Sequence, residues 1–308
     1  MKAQMTRAAW REGGAADRSE SDRRLALLRR AGLYSNDTRG AEITRATSPE
    51  DLAKAYRLVH DVYVRQGYIH GDPTGMRVRP FEALPDTATF VAKVADEVVG
   101  VVTVVTDSQD FGLPLEKAFK AEVNAIRGQG RKLCEATNWV VAESHRGSAV
   151  MSELMRCSFA HALATHCTDY VGAVSPGHGK FFQLLGFEQP GDARSYSNDI
   201  DDPVVLIRLD IVAFRRQMAN VVAGRHDVQS FIKDYYVESN PYHRLVGMWQ
   251  AESDRLFANP SLLSALFVDE SQFLASCGPE VLYLIEQRWG EQMLGQVLLQ
   301  RPELTVPV

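Results

Sequence analysis

The chain has 308 residues, enough to hide roughly three quarters of the surface that its unfolded form would expose. With 45% hydrophobic and 24% charged residues it has the make-up of a globular protein, which excludes wholesale disorder, a collagenous chain and a disulfide scaffold. Lys and Arg number 34 against 39 Asp and Glu, a net charge of −5, so no nucleic-acid partner is expected, although local basic patches stay open.

Cys134, Cys157, Cys167 and Cys277 form no Cys-x-x-Cys pair and no cluster at zinc spacing, so no metal site is expected and reduced thiols fit best. The amino-terminal thirty residues are charged and lack the apolar stretch of a signal peptide. The longest aliphatic run, residues 98–105, is far too short to cross a bilayer. No transmembrane segment and a cytoplasmic location are the expectations.

Residues 1–40 read as a charged, Arg-rich extension with one amphipathic stretch around Leu25, Leu27 and Leu28. Residues 42–46 alternate like a strand. Ser48 then sits as N-cap, Pro49 at the first helical position and Glu50 and Asp51 in the first turn of a helix to about Arg65. Residues 67–85, with three prolines, form a long loop of the kind that is more often functional than idle. Two β-rich runs, 89–94 and 98–106, make a hairpin, and a basic loop leads to another strand at 133–142. Met151, Leu154, Met155, Phe159 and Ala162 mark a helix. A strand at 170–174, a short helix ending at Gly186 and a strand at 204–209 complete the order β-α-loop-β-β-β-α-β-α-β. Beyond a boundary near residue 212 only helical stripes follow, such as Val281, Leu282, Ile285 and Trp289.

Several segments carry a resemblance. They are Tyr56-Arg57-Leu58-Val59-His60-Asp61-Val62-Tyr63 with Gly67-Tyr68-Ile69, the loop ending Leu84-Pro85-Asp86-Thr87, and Asp107-Ser108 with Gly112-Leu113-Pro114. Further on stand Cys134-Glu135-Ala136-Thr137-Asn138-Trp139-Val140-Val141, and Ser175-Pro176-Gly177-His178 with Phe181-Phe182-Gln183-Leu184-Leu185-Gly186-Phe187. In order and spacing, the chain from about residue 41 to 210 resembles the bacterial N-acyl amino acid synthases, such as the long-chain N-acyltyrosine synthases, relatives of the acyl-homoserine-lactone synthases. The element order is that of the Gcn5-related acyltransferase fold. The expected fold class is therefore α+β: a Gcn5-related N-acyltransferase-like mixed sheet flanked by helices over 41–212, after the extension 1–40 and before an all-helical region, 213–308.

Ordinary acetyltransferases open their long helix with Arg/Gln-x-x-Gly-x-Gly/Ala, because bare backbone N–H groups at a helix N-terminus can close around a pyrophosphate. Here that place reads Arg146-Gly147-Ser148-Ala149-Val150-Met151, with alanine and methionine where small residues belong, so a nucleotide pyrophosphate should be obstructed. The resemblance implies acyl carrier protein as donor, through its acyl-phosphopantetheine, with acyl-coenzyme A the weaker expectation and no permanently bound cofactor. Carrier protein is acidic, and Arg127, Arg131, Lys132 and Arg146 fall around the expected docking mouth.

Acyl transfer to an amine needs a neutral nucleophile, a positioned carbonyl and a donor for the developing oxyanion. Glu135 is the leading base: it lies in an otherwise apolar strand, burial would raise its pKa, and the resemblance points to the same residue. Thr137, two residues on and thus on the same face, can orient substrate or meet the oxyanion, or can be a mere β-former. Asn138 stands where the lactone synthases carry Arg, which argues against their chemistry and leaves it as a substrate contact. His178 suits a base or substrate clamp, with a capping histidine as the alternative, and Tyr196 is a fallback acid. The resemblance gives Asp86 to the amino substrate. Tyr63, Tyr68 and Phe81 can wall an acyl or aromatic pocket or be plain core. His161 and His166, five apart on a helix, read as structural.

The leading expectation is a cytoplasmic N-acyltransferase that moves a medium or long acyl chain from acyl carrier protein to the amine of an amino acid or similar small molecule, by direct attack. A coenzyme A-dependent N-acetyltransferase and a non-catalytic acyl-binding or interaction protein are the alternatives. The carboxy-terminal helices are a candidate homodimer contact, lid or docking surface.

Overall fold

Valine-rich stretches form the centre of the sheet in the computed structural model, which describes residues 21–30, 33, 35–196, 203–222 and 227–299. Its strands are β1 (Glu42–Arg45), β2 (Ala88–Val94), β3 (Glu97–Thr106), β4 (Leu133–Val141), β5 (Asp169–Val174), β6 (Arg194–Ser195) and β7 (Pro203–Asp210). They lie in the order β1-β2-β3-β4-β5-β7-β6, antiparallel except for the parallel pair β4 and β5. That pair needs a crossover, and the helix between the two strands supplies it.

Helices α1 (residues 21–30), α2 (Pro49–Arg65), α3 (Glu116–Arg127), α4 (Val150–Ala164) and α5 (Pro176–Leu184) flank the sheet. α2 starts where its sequence says: Ser48 Oγ accepts from the Asp51 amide at 3.1 Å, with Pro49 in the first turn. α4 is buried along nearly its whole circumference and crosses the core on one side of the sheet. The chain after Asp210 is helical as expected, with α6 (Ile211–Asn220), α7 (Val228–Lys233), α8 (Tyr242–Phe257), α9 (Pro260–Ser264), α10 (Phe273–Ser276), α11 (Pro279–Trp289) and α12 (Glu291–Leu299).

These helices share the sheet's own cores. On the α4 side, Phe90, Leu154, Phe159, Tyr170, Phe214 and Trp249 pack together. On the α2 side, Tyr56, Val91, Val101, Leu263, Phe267 and Ile285 do. A third, smaller core beneath α3 holds Val105, Leu115, Phe119, Val123, Leu133 and Leu206. α3 itself has no counterpart among the expected elements. Another departure concerns the amino terminus: residues 1–20 lie outside the described residues, but Leu25, Leu28 and Leu33 are buried in the α4-side core, so α1 is part of the packed molecule rather than a loose extension.

Two irregularities in β4 shape the ground on which a site can form. β4 and β5 pair only from Leu133 to Glu135 and from Asp169 to Val171, then part, leaving the rest of β4 unpaired on that edge. On its other edge, β4 shifts register against β3 between the Val101–Val140 and Thr103–Thr137 pairs. Asn138 sits in this bulge with φ of 55°, a left-handed conformation that asparagine tolerates better than most residues.

Candidate active site

β4 sends Cys134 and Ala136 under α4 and Leu133, Glu135 and Thr137 to the opposite face. Glu135 is 1% exposed, and its Oε2 accepts from the amide of Leu115 at 2.8 Å, where Leu115 caps the N-terminus of α3. Burial pushes its carboxyl up to about 8, against the Leu115 hydrogen bond and the charge of Arg79, which pull it down. Thr137 is half-buried on the same face.

The long loop supplies a charged wall to this face. Pro80 opens a 3-10 turn, so Arg79 and Glu82 close on one another. Arg79 Nε donates to both Glu82 oxygens, at 3.1 and 3.2 Å, and the Arg79 amide donates to Oε2 at 2.7 Å. Burial alone would raise the Glu82 carboxyl, but the Arg79 guanidinium holds it below the usual range. Glu82 also accepts from Asn138 Nδ2 at 3.0 Å, and that nitrogen donates to Thr103 Oγ1 at 3.2 Å. Asn138 Oδ1 is buried without a partner among the described residues. Arg77 lies with its guanidinium 5.2 Å from the Tyr63 ring centre, and Arg79 with its own 5.6 Å from that of Phe81. The Tyr63 and Tyr68 rings meet edge-on at 5.6 Å, and Phe81 meets Phe111 at 6.5 Å. Tyr196 donates from its hydroxyl to the Pro114 carbonyl at 3.2 Å, and burial beside Glu135 raises its pKa, so it stays protonated.

Of the residues expected from sequence, Glu135, Thr137, Asn138, Tyr63, Tyr68 and Phe81 therefore gather around one face of β4. Asp86 does not join them: its side chain is 71% exposed and lies 3.9 Å from Arg288, and the acid that this loop contributes is Glu82. His178 stands exposed at the start of α5 with Nδ1 2.8 Å from Ser175 Oγ, and no bond ties it to Glu135. His161 is structural as expected, buried edge-on against Phe90 at 5.4 Å, with its pKa pushed down to about 3 by burial.

The four expected docking cations do not form one mouth. Arg127 is paired with Asp107 and Glu116, and Arg131 with Asp169 and Asp210. These two and Lys132, which donates to the Thr165 carbonyl at 2.7 Å, sit at the end of β4 where it pairs with β5. Arg146 is exposed at the other end, near the start of α4, about 25 Å away by strand rise. There the amide of Ala149 donates to the carbonyl of Asp37 at 2.8 Å, and Arg39 anchors the same segment by donating to the Ser144 carbonyl. The amino-terminal segment thus occupies a backbone N–H at the start of α4.

Sequence reading missed Arg77, Arg79 and Glu82, although Arg79, Pro80 and Glu82 form a local pattern that could have been read as a reciprocal cap. Among the described residues no three metal-binding side chains cluster. Chemically, a buried carboxyl poised near pH 8 can take a proton from an ammonium group, and the arginines beside it can receive an anion.

A family model described as N-acyl amino acid synthase FeeM matches residues 54–210. The structure of FeeM, an N-acyl amino acid synthase from uncultured soil microbes, is 25% identical, with 57% of this chain and 94% of that one covered and a TM-score of 0.51. A coenzyme A-dependent acyl-homoserine lactone synthase, BjaI, is 18% identical over 56% of this chain and 84% of its own, with a TM-score of 0.42. An acyl-CoA N-acyltransferase from Pseudomonas aeruginosa is 14% identical over 55% and 98%, with a TM-score of 0.39. No curated protein matches the chain. The parted mixed sheet, the buried glutamate on β4 and the match across half of the chain lead to one conclusion: this is an N-acyltransferase of the Gcn5-related fold, and it belongs to the FeeM family of N-acyl amino acid synthases.

Proposed function

We propose that the enzyme moves a medium or long acyl chain from the phosphopantetheine arm of acyl carrier protein to the amine of an amino acid or similar small molecule, in the cytoplasm and by direct attack. The observation that carries the donor half is the Ala149 amide bonded to the Asp37 carbonyl at 2.8 Å. A coenzyme A pyrophosphate would have to displace that segment, whereas a pantetheine arm needs only the unpaired edge of β4 beyond Glu135, where its two amides can pair as an added strand would. The acyl chain would then pass between the parted β4 and β5 to the α4 side, where Trp139, Phe159, Tyr170, Phe182, Phe187 and Tyr236 line an apolar cavity that has room for about one water and has to open around the chain.

Glu135 takes a proton from the substrate ammonium. The neutral amine attacks the thioester carbonyl, with Thr137 Oγ1 or a free β4 amide receiving the oxyanion; the C–S bond then breaks, and the proton that the nitrogen sheds on becoming an amide passes to the leaving thiolate, so that pantetheine departs as the thiol. No acyl-enzyme forms. Arg146, exposed at the open end of the parted strands, is the docking cation that this path favours. The likeness to FeeM, an N-acyl amino acid synthase, supports an amino acid as acceptor.

The test is incubation with acyl carrier protein loaded with chains of graded length, the same chains on coenzyme A, and a pool of amino acids, with amides read by mass spectrometry. Long-chain amides from carrier-bound donors are expected. Activity with acetyl-coenzyme A alone, or acyl binding without turnover, overturns the proposal.

A further inference from the structure

Arg77 stands in the charged wall without a carboxylate of its own. Arg79 spends its guanidinium on Glu82, in contact with both carboxylate oxygens. Arg77 has no carboxylate partner among the described residues, and its Nε is shut off from solvent without a hydrogen bond. Its guanidinium stacks near the Tyr63 ring, which fixes its plane while leaving its edge free. Lys117, at the start of α3, adds a third positive charge to the neighbourhood of Arg77 and Arg79. Glu82 lies within electrostatic range of Arg77 but is bonded to Arg79 and Asn138, so a single carboxylate serves both guanidiniums and makes no ion pair with Arg77. A desolvated guanidinium beside a second one is costly unless an anion arrives.

Glu135 lies on the same wall, within electrostatic range of Tyr63 and of Arg79. Tyr63 joins the two: Arg77 lies over its ring and Glu135 is within electrostatic range of it, so a small acceptor whose amine is delivered to Glu135 can reach Arg77 across Tyr63 with its neighbouring substituent. We infer that Arg77 holds the carboxylate of the acceptor by its free guanidinium edge, so that the enzyme selects amines that carry a carboxylate. This inference rests on the N-acylation reading above. The same oxyanion chemistry could come from the phosphate of the donor arm, and the experiment separates the two sources.

Wild type, Arg77→Gln and Arg77→Lys are assayed with L-tyrosine, L-tyrosinamide and tyramine as acceptors, and the KM for the acylated carrier protein is measured alongside. Wild type should use tyrosine with a kcat/KM about tenfold or more above the two acceptors without a carboxylate, as a charge-assisted pair requires. Arg77→Gln should remove that preference through a raised KM for tyrosine. It should leave the two neutral-tailed acceptors and the donor KM within about twofold, a change below the scale of one hydrogen bond. Arg77→Lys should recover part of the preference, and it keeps the test decisive if the glutamine variant does not fold. Amides formed equally well from all three acceptors by wild type overturn this inference alone. A raised donor KM with the tyrosine preference intact assigns Arg77 to the phosphate and overturns it too. No amide with any amine overturns the N-acylation reading and this inference with it.

Discussion

Asn138 Nδ2 donates to Glu82 Oε1 across 3.0 Å and so ties the bulge in β4 to the charged turn of the long loop. The bond joins residues 56 positions apart and holds the Arg79–Glu82 pair against the strand that carries Glu135. Replacing Asn138 by Ala loses both of its donated bonds and puts a Cβ-bearing residue without a compensating side chain at a φ of 55°. The expected loss is about 1–3 kcal/mol in urea unfolding. Asn138→Gly loses the same bonds but accepts the backbone, so it should be the milder variant by up to about 1 kcal/mol. Equal losses would show that the left-handed backbone carries no strain.

Glu135→Gln should separate activity from stability. Turnover should fall by about a hundredfold or more if the carboxylate is the base. Stability should move the other way. The folded carboxyl, near 8, lies above its ordinary value of 4.5, so the folded state binds the extra proton between these values. The stabilising protonated form is fully present below pH 4.5 and lost as pH rises through 8. Wild type should therefore weaken relative to Glu135→Gln across that window, by on the order of 4 kcal/mol at its alkaline end. The wild-type rate should rise with pH through about 8, a limb that the variant lacks. Parallel stability profiles for the two proteins would rule out the raised pKa.

How much of this site was legible beforehand depends on the range of the interactions. Ser48 and Glu135 were readable because their signals are local: a cap next to a proline, and a carboxylate inside an apolar strand. α3 left a usable trace that sequence reading passed over, since Phe119, Val123 and Ile126 recur at helical spacing. The loop betrayed itself only by length. That Glu82 rather than Asp86 turns inward depends on the Arg79 turn and the distant Asn138, and that Asp37 meets Ala149 goes with the burial of Leu25, Leu28 and Leu33 in the α4-side core; neither is encoded in neighbouring residues. The docking cations share only their charge in the sequence, whereas strand direction puts Lys132 and Arg146 at opposite ends of β4.

Donor length gives a direct reading of whether the nucleotide matters. If the Asp37 segment keeps the pyrophosphate from the start of α4, the adenosine diphosphate portion of coenzyme A contributes no binding energy. A long-chain acyl-pantetheine should then match the corresponding acyl-coenzyme A in kcat/KM within about threefold, less than about 1 kcal/mol. A preference of about a hundredfold for the coenzyme A thioester would show the nucleotide to be seated.

Carrier docking should depend on Arg146 and not on Lys132. Arg146→Glu is expected to raise the KM for acylated carrier protein about five- to tenfold at low salt, an effect that fades as ionic strength rises. Lys132→Glu, at the far end of β4, should leave that KM unchanged. The reverse ranking, measured by initial rates at two salt concentrations, would place the carrier at the closed end of the parted strands.

The amino-terminal helix offers a test of how the molecule is held together. Leu28 is fully buried in the α4-side core, while Leu27, the residue before it on α1, is 51% exposed. Leu28→Ala deletes apolar volume from a packed site and should cost about 2–4 kcal/mol. Leu27→Ala exposes nothing new and should stay within about 0.5 kcal/mol of wild type. Because the segment that reaches Ala149 follows α1 directly, loosening α1 should also loosen that cover. Leu28→Ala should therefore gain activity with acyl-coenzyme A relative to acyl-pantetheine, at temperatures where both proteins are folded by circular dichroism. A variant that is destabilised yet keeps the wild-type donor ratio would show that the Asp37–Ala149 bond holds without α1 behind it.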